Sequence, residues 1–170
     1  MSEVVVDLPR DEDAEALGRM HLRSWHETYP SAEHGVDAAW VDAHAGSKDS
    51  PAAAAARRRF FAAQRSDPAR TFYRVARRGG DVVGLVHATR PAEGDAVLEA
   101  LYLLRAHQGT GVADRMLAAA LGWLGPQPIS LEVAAYNARA VAFYRRHGFR
   151  PTGATSVVLG LPTVVMRRTG

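Results

Sequence analysis

Three consecutive β-branched residues, Val4-Val5-Val6, closed by Pro9, predict a short first strand. Behind Asp11 or Asp13, either of which can cap a helix, Ala14, Leu17 and Met20 recur at helical spacing, with His21 and Trp25 continuing the pattern more loosely. Pro30 and Ser31 interrupt it. A weaker helical stretch around Val36 to Ala43 and a polar connector, Gly46 to Pro51, come next. Ser50 then stands where it can cap the run PAAAAARRRFFAAQ, in which proline occupies the favoured first helical position and alanine supplies helix propensity.

From Thr71 the period changes to two. Thr71–Ala76 and Val82–Ala88 flank Gly79-Gly80-Asp81 and read as a hairpin. A third strand runs from Val97 to about Leu104, and its alternation predicts Glu99, Leu101 and Leu103 on one face with Leu98, Ala100 and Tyr102 on the other. The clearest helix begins near Gly111, where Val112, Ala113, Met116, Leu117, Ala120, Leu121 and Leu124 form an apolar stripe, and it stops at Gly125-Pro126. Ile129, Leu131 and Val133 mark another strand. Asn137 can cap a helix from about Ala138 to His147, and Gly148 lies where a left-handed C-terminal residue is wanted, followed by the apolar Phe149. Two last strands are expected near Thr155–Leu159 and Thr163–Arg167.

At 170 residues, with 47% hydrophobic and 23% charged side chains, residues 1–170 are expected to form one globular domain. The absence of cysteine excludes disulfide scaffolds, thiolate metal sites and a cysteine nucleophile, and it suits a reducing cytoplasm. The opening MSEVVVDLPRDEDAE has no basic leader, and no apolar run is long enough for a membrane span, so neither secretion nor membrane association is expected. Charge is uneven. Residues 1–50 carry four basic and eleven acidic side chains, a net −7, and residues 51–170 carry seventeen basic and seven acidic, a net +10. An anionic ligand is therefore expected to favour the later part. Lys48 is the only lysine among 21 basic residues.

The segment Arg105-Ala106-His107-Gln108-Gly109-Thr110-Gly111-Val112-Ala113 joins a strand to the strongest helix. Glycines there can free backbone N–H groups at a helix N-terminus to hold phosphate, or can simply make the turn. No Gly-Lys-Ser/Thr follows and Asp114 takes the third glycine position, which sets aside the phosphate-loop and dinucleotide fingerprints. The histidines form no His-Glu-x-x-His pattern, so no metal is expected. Arg57-Arg58-Arg59 fans around its helix and lacks interleaved aromatics, which disfavours nucleic acid as a partner.

Gln108-x-x-Gly111-x-Ala113, preceded by Leu101-Tyr102-Leu103, resembles the Arg/Gln-x-x-Gly-x-Gly/Ala signature of the GCN5-related N-acetyltransferase (GNAT) superfamily. Asn137-x-x-Ala140-x-x-Phe143-Tyr144-x-x-x-Gly148-Phe149 resembles its second motif, and Ser24-Trp25-His26-Glu27-Thr28-Tyr29 resembles an N-terminal segment of small bacterial members. The resemblance implies an α+β fold, with a mixed, mostly antiparallel sheet splayed in the middle, helices on both faces, and acetyl-CoA in the opening. It implies an enzyme that moves an acetyl group to a primary amine by direct attack. An acyl-CoA-binding domain without turnover is the alternative.

On that resemblance the pantetheine arm pairs with backbone near Leu103, and the pyrophosphate meets the amides of Gln108, Gly109, Gly111, Val112 and Ala113. Asn137 adjoins the arm as well as capping its helix. Tyr144 is implied to protonate the departing thiolate; as a bare sequence feature it equally reads as one apolar face of a helix. Glu99 is the preferred base, with Glu132 and Glu27 as competitors. Arg139, Arg145 and Arg146 are candidates for coenzyme phosphates. Trp25 and Tyr29 either line the acceptor pocket or plug the core. An acidic first third lining the acceptor side would favour a cationic amine. The apolar run Val157-Val158-Leu159 offers a strand for pairing across a homodimer.

Overall fold

The computed structural model describes residues 3–170. Strand β1 (Val4–Asp7) is followed by helices α1 (Asp13–Thr28), α2 (Ala38–Ala45) and α3 (Pro51–Ser66), and then by β2 (Thr71–Arg78), β3 (Asp81–Thr89) and β4 (Ala96–Leu103). Helix α4 (Val112–Leu124), β5 (Ile129–Ala134), α5 (Ala138–Arg146), β6 (Arg150–Val158) and β7 (Leu161–Arg168) complete the chain. The seven strands form one sheet in the order β1-β2-β3-β4-β5-β7-β6. Every neighbouring pair is antiparallel except β4 with β5. That parallel pair is joined only at Ala96–Ile129 and Val97–Ser130. Beyond those residues the two central strands diverge, and the sheet opens between them.

Side-chain parity sorts the helices. Tyr73 and His87 point toward Phe60 of α3, whereas Phe72, the next residue along β2, packs against Trp123 of α4. Helices α1 and α3 thus cover one face and α4 the other, with a continuous core of buried apolar residues between them. Trp25, Val36, Val41, Ala45 and Leu161 make a second, smaller cluster beside α1.

The expected starts and stops mostly hold. Ser50 accepts from the Ala53 amide at 3.1 Å, and Asn137 caps α5 by accepting from Ala140 at 3.1 Å. Asp13 differs: the residue preceding α1, Glu12, makes no side-chain cap, and Asp13 itself lies inside the helix. Its carboxylate accepts from the Arg10 amide and pairs with Arg77, both side chains being buried. The connector after Gly46 contains a tight 3-10 turn, Gly46–Asp49, and the second helix lies two residues later than expected. The final strands are longer than their β-branched runs suggest. Pro151 and Gly153 fall at a register break between β6 and β7, where a missing N–H costs little, so the ladder continues past them. Strand β6 is the sheet edge and leaves Val157 exposed, as is Leu159 in the turn that follows.

The largest revision concerns β4. Leu103, Leu101 and Leu98 oppose Gly84, Val86 and Ala88, which alternate along one face of β3; Tyr102 and Ala100 oppose Leu85 and His87 on the other. Glu99 has no opposite number. One extra residue at this point shifts the parity, so Leu98 shares a face with Leu101 although strict alternation separates them. Glu99 accepts from the Thr89 hydroxyl at 2.7 Å. Thr89 lies two residues beyond His87, so the bulge turns Glu99 away from the Leu101 and Leu103 face, toward the side covered by α1.

Candidate active site

The split sheet encloses an open cleft of about 950 Å³. At one end lies the turn into α4. Gly109 and Gly111 have φ of +76° and +81°, a left-handed backbone that side chains disfavour. Gly111 is the residue preceding the helix and offers no capping side chain, so the first-turn amides of α4 have no internal partner. Free N–H groups at the positive end of a helix are the kind of donors that hold an anion. Gln108 supports the turn by donating to the Leu103 carbonyl at 2.9 Å, and Thr110 donates to the His107 carbonyl at 2.6 Å.

Tyr144 stands deeper in the cleft, on α5. The end of that helix explains its position. Gly148, with φ of +88°, donates to the Arg145 carbonyl at 3.2 Å, and the Phe149 amide donates to the Tyr144 carbonyl at 3.1 Å. The Phe149 ring packs edge-on against Tyr144, with centroids 5.8 Å apart, which completes the hydrophobic contact of this C-terminal motif. Burial, reinforced by nearby Tyr102, pushes the Tyr144 phenol well above its ordinary range, so it carries its proton at neutral pH.

A tyrosine cluster extends from there toward α1. The Tyr29 and Tyr102 hydroxyls are 3.2 Å apart, Tyr136 donates to the Tyr29 carbonyl at 2.8 Å, and Trp25 meets Tyr29 edge-on at 4.7 Å. Burial raises the phenols of Tyr29 and Tyr102 as well. His21 lies against Tyr102, with ring centroids 4.5 Å apart. Burial, with help from the Lys48 and Arg57 cations, lowers the His21 pKa to about 3. His21 therefore stays neutral in the fold while its unfolded counterpart, with an ordinary value of about 6.5, gains a proton. The stability this provides is present above pH 6.5 and is lost as the pH falls toward 3. Urea titrations across that range should show declining stability, with a shallower decline for His21→Leu; equal slopes would refute the assignment.

Of the residues expected from the sequence, Glu99, Leu103, Gln108, Gly109, Gly111, Ala113, Asn137 and Tyr144 line the cleft together with Trp25 and Tyr29. Val112 does not; its side chain is buried in the core, and only its amide belongs to the turn. Arg139 and Arg146 line the cleft, whereas Arg145 lies outside it. Among the eleven acidic residues of positions 1–50, Glu27 alone reaches the cleft. Its carboxylate accepts from Arg23 at 2.8 Å and from the Arg105 amide at 2.6 Å. The other ten acidic residues of the first third lie outside the cleft. Sequence reasoning missed Tyr102 and Lys48 as cleft residues; the one signal available was that Lys48 is the lone lysine.

Comparison with known proteins finds the same fold and a family match. The acetyltransferase (GNAT) family matches residues 15–149. N-acetyltransferases of Mycobacterium tuberculosis and Mycobacterium bovis, themselves uncharacterized, are 34% identical over 155 residues, covering 87% of this chain and 90% of theirs. The PaiA N-acetyltransferase of Thermoplasma acidophilum, solved in complex with coenzyme A, superposes with a TM-score of 0.79 at 18% identity over 99% of both chains. The yncA protein of Salmonella typhimurium, solved with acetyl-CoA, gives 0.67 at 17% identity over 99% of this chain and 94% of that one. At these identities the two structures speak for the fold. Among the described residues no helix is long and apolar enough to cross a membrane. From the family match and the mycobacterial relatives, this chain belongs to the acetyltransferase (GNAT) family.

Proposed function

We propose that the protein transfers the acetyl group of acetyl-CoA to a primary amine on a small molecule, a peptide N-terminus or a lysine side chain, by direct attack within a ternary complex. The observation that carries this reading is the divergence of β4 from β5 beyond Val97. It joins the unpartnered amides of the α4 turn and the protonated Tyr144 in one space, with Glu99 on the α1 side. Donor and acceptor can therefore meet through the sheet.

In this scheme the coenzyme pyrophosphate takes hydrogen bonds from the amides of Gly109 to Ala113, with Arg139 and Arg146 as nearby cations, and the pantetheine arm runs along the exposed edge of β4 near Leu103. The neutral amine attacks the thioester carbonyl carbon. The carbon–nitrogen bond forms, the carbon–sulfur bond breaks, the amine proton leaves to Glu99 directly or through water, and the departing thiolate takes the Tyr144 proton. The bulge at Glu99 supports its part, because it brings that carboxylate to the α1 side of the sheet. No enzyme nucleophile is needed.

Thermal unfolding with acetyl-CoA tests the donor. A ligand at a hundred times its dissociation constant adds about 2.7 kcal/mol, which for this size raises the midpoint by roughly 5–11 °C. Gly111→Glu should abolish the shift, since the side chain strains a left-handed position and sets a negative charge against the anion site. Thiol release with an amine panel tests turnover. A thermal shift without thiol release for any amine would mark a coenzyme-binding domain, and no shift at millimolar acetyl-CoA would overturn the donor assignment.

A further inference from the structure

The α1 end of the cleft has a charge pattern that the transfer chemistry does not use. Lys48 extends from the 3-10 turn after α2 and lines the cleft with its ammonium 5.1 Å from the Trp25 ring centroid. It is half-buried, and it forms none of the ion pairs found among the described residues. The groups around it leave this charge unanswered. His21 is neutral; the Arg57 guanidinium is a second cation, and it donates to the Ala14 and Lys48 carbonyls at 3.2 and 2.5 Å. Glu27 is engaged by Arg23 and by the Arg105 amide, and Glu99 by Thr89. Burial and the Arg57 charge both push the Lys48 pKa down, which an anion beside it would reverse.

A half-desolvated ammonium without a counter-ion is a receptor for an anion. The ammonium itself lies over the face of the Trp25 indole, and Leu161 belongs to the same apolar cluster, so the approach to the charge is hydrocarbon-lined. A single compact charge with its neighbouring guanidinium already committed suits a monoanion; a phosphate dianion calls for several convergent donors.

We propose that Lys48 determines acceptor specificity by binding a carboxylate carried by the acceptor amine, so that the preferred acceptors are amino-acid-like molecules and polyamines are rejected. This inference rests on the amine-transfer reading above. It reverses the preference expected from the acidic N-terminal third.

The test measures kcat/KM by thiol release for α- and ω-amino acids of graded length, each against its carboxamide and the diamine of matching length. Amino acids should exceed both by about ten- to a hundredfold, the range for one charge-assisted hydrogen bond. Lys48→Met should erase the discrimination by raising KM for the amino acids, Lys48→Glu should invert it toward diamines, and Lys48→Arg should retain it in part. The acetyl-CoA thermal shift, measured on each variant, separates lost folding from lost recognition. Wild-type preference for diamines or carboxamides overturns the role of Lys48 and leaves amine transfer standing. Absence of thiol release with every amine overturns amine transfer itself, and this inference with it.

Discussion

Replacing Tyr144 by phenylalanine is expected to lower kcat for acetyl transfer by about a hundredfold or more, the usual contribution of one positioned general acid. The substitution removes a single oxygen. The ring contacts with Phe143 and Phe149 and the Gly148 turn that orients the helix end are all retained, so stability and the acetyl-CoA thermal shift should hardly change. The effect should therefore appear in kcat and spare coenzyme binding. Its pH dependence carries further information. Because burial raises the phenol, wild-type kcat should not turn down at high pH until beyond the ordinary phenol value of about 10. A loss of only a few-fold in Tyr144→Phe would mean that the thiolate draws its proton from water or from the Tyr29–Tyr102 pair.

The largest stability loss should come from halving the buried pair at the start of α1. Asp13 and Arg77 are each only 7% exposed. The Arg77 guanidinium donates to both Asp13 oxygens and, at 3.0 Å, to the Leu8 carbonyl, while Asp13 also accepts from the Arg10 amide at 2.6 Å. This network ties the β1–α1 connection to β2. Arg77→Met strands the Asp13 carboxylate in the interior, at a cost of about 3–5 kcal/mol; Asp13→Ala should cost less, because Arg77 keeps the half-exposed Asp7 carboxylate at 3.9 Å. The double variant should lose clearly less than the two single losses combined, since neither charge is then stranded. Urea unfolding of the four proteins measures this. Additive losses, or single losses below about 1 kcal/mol, would show that water screens the pair as it does a surface ion pair.

The helix α5 and its flanks are legible in the sequence because their chemistry is local. Asn137 caps through an amide three residues away, and Gly148-Phe149 closes the helix within five residues of Tyr144. The same holds for Ser50 and α3, and for the glycine turn into α4, where positive φ is a property of the residues themselves. The sequence of β4 identifies it as a strand, but strict alternation does not give its faces. Alternation is a strong rule only until one residue is inserted, and the bulge at Glu99 is decided by pairing with β3, not by any preference of glutamate.

What the sequence by itself determined here is the order of elements, the helix ends, the glycine turn into α4 and the family to which their spacing belongs. All of these depend on residues within a few positions of one another, where backbone conformation and hydrogen-bonding capacity are set by residue type. Tertiary structure alone decided that Glu99 lies on the α1 side of the sheet, that Asp13 serves Arg77 instead of capping a helix, and that Lys48 stands beside Trp25 with no ion-pair partner among the described residues. Tyr29 meets Tyr102 across 73 positions of chain, and Asp13 meets Arg77 across 64. No local pattern encodes such contacts; they exist because packing a sheet between two helical layers brings these side chains together.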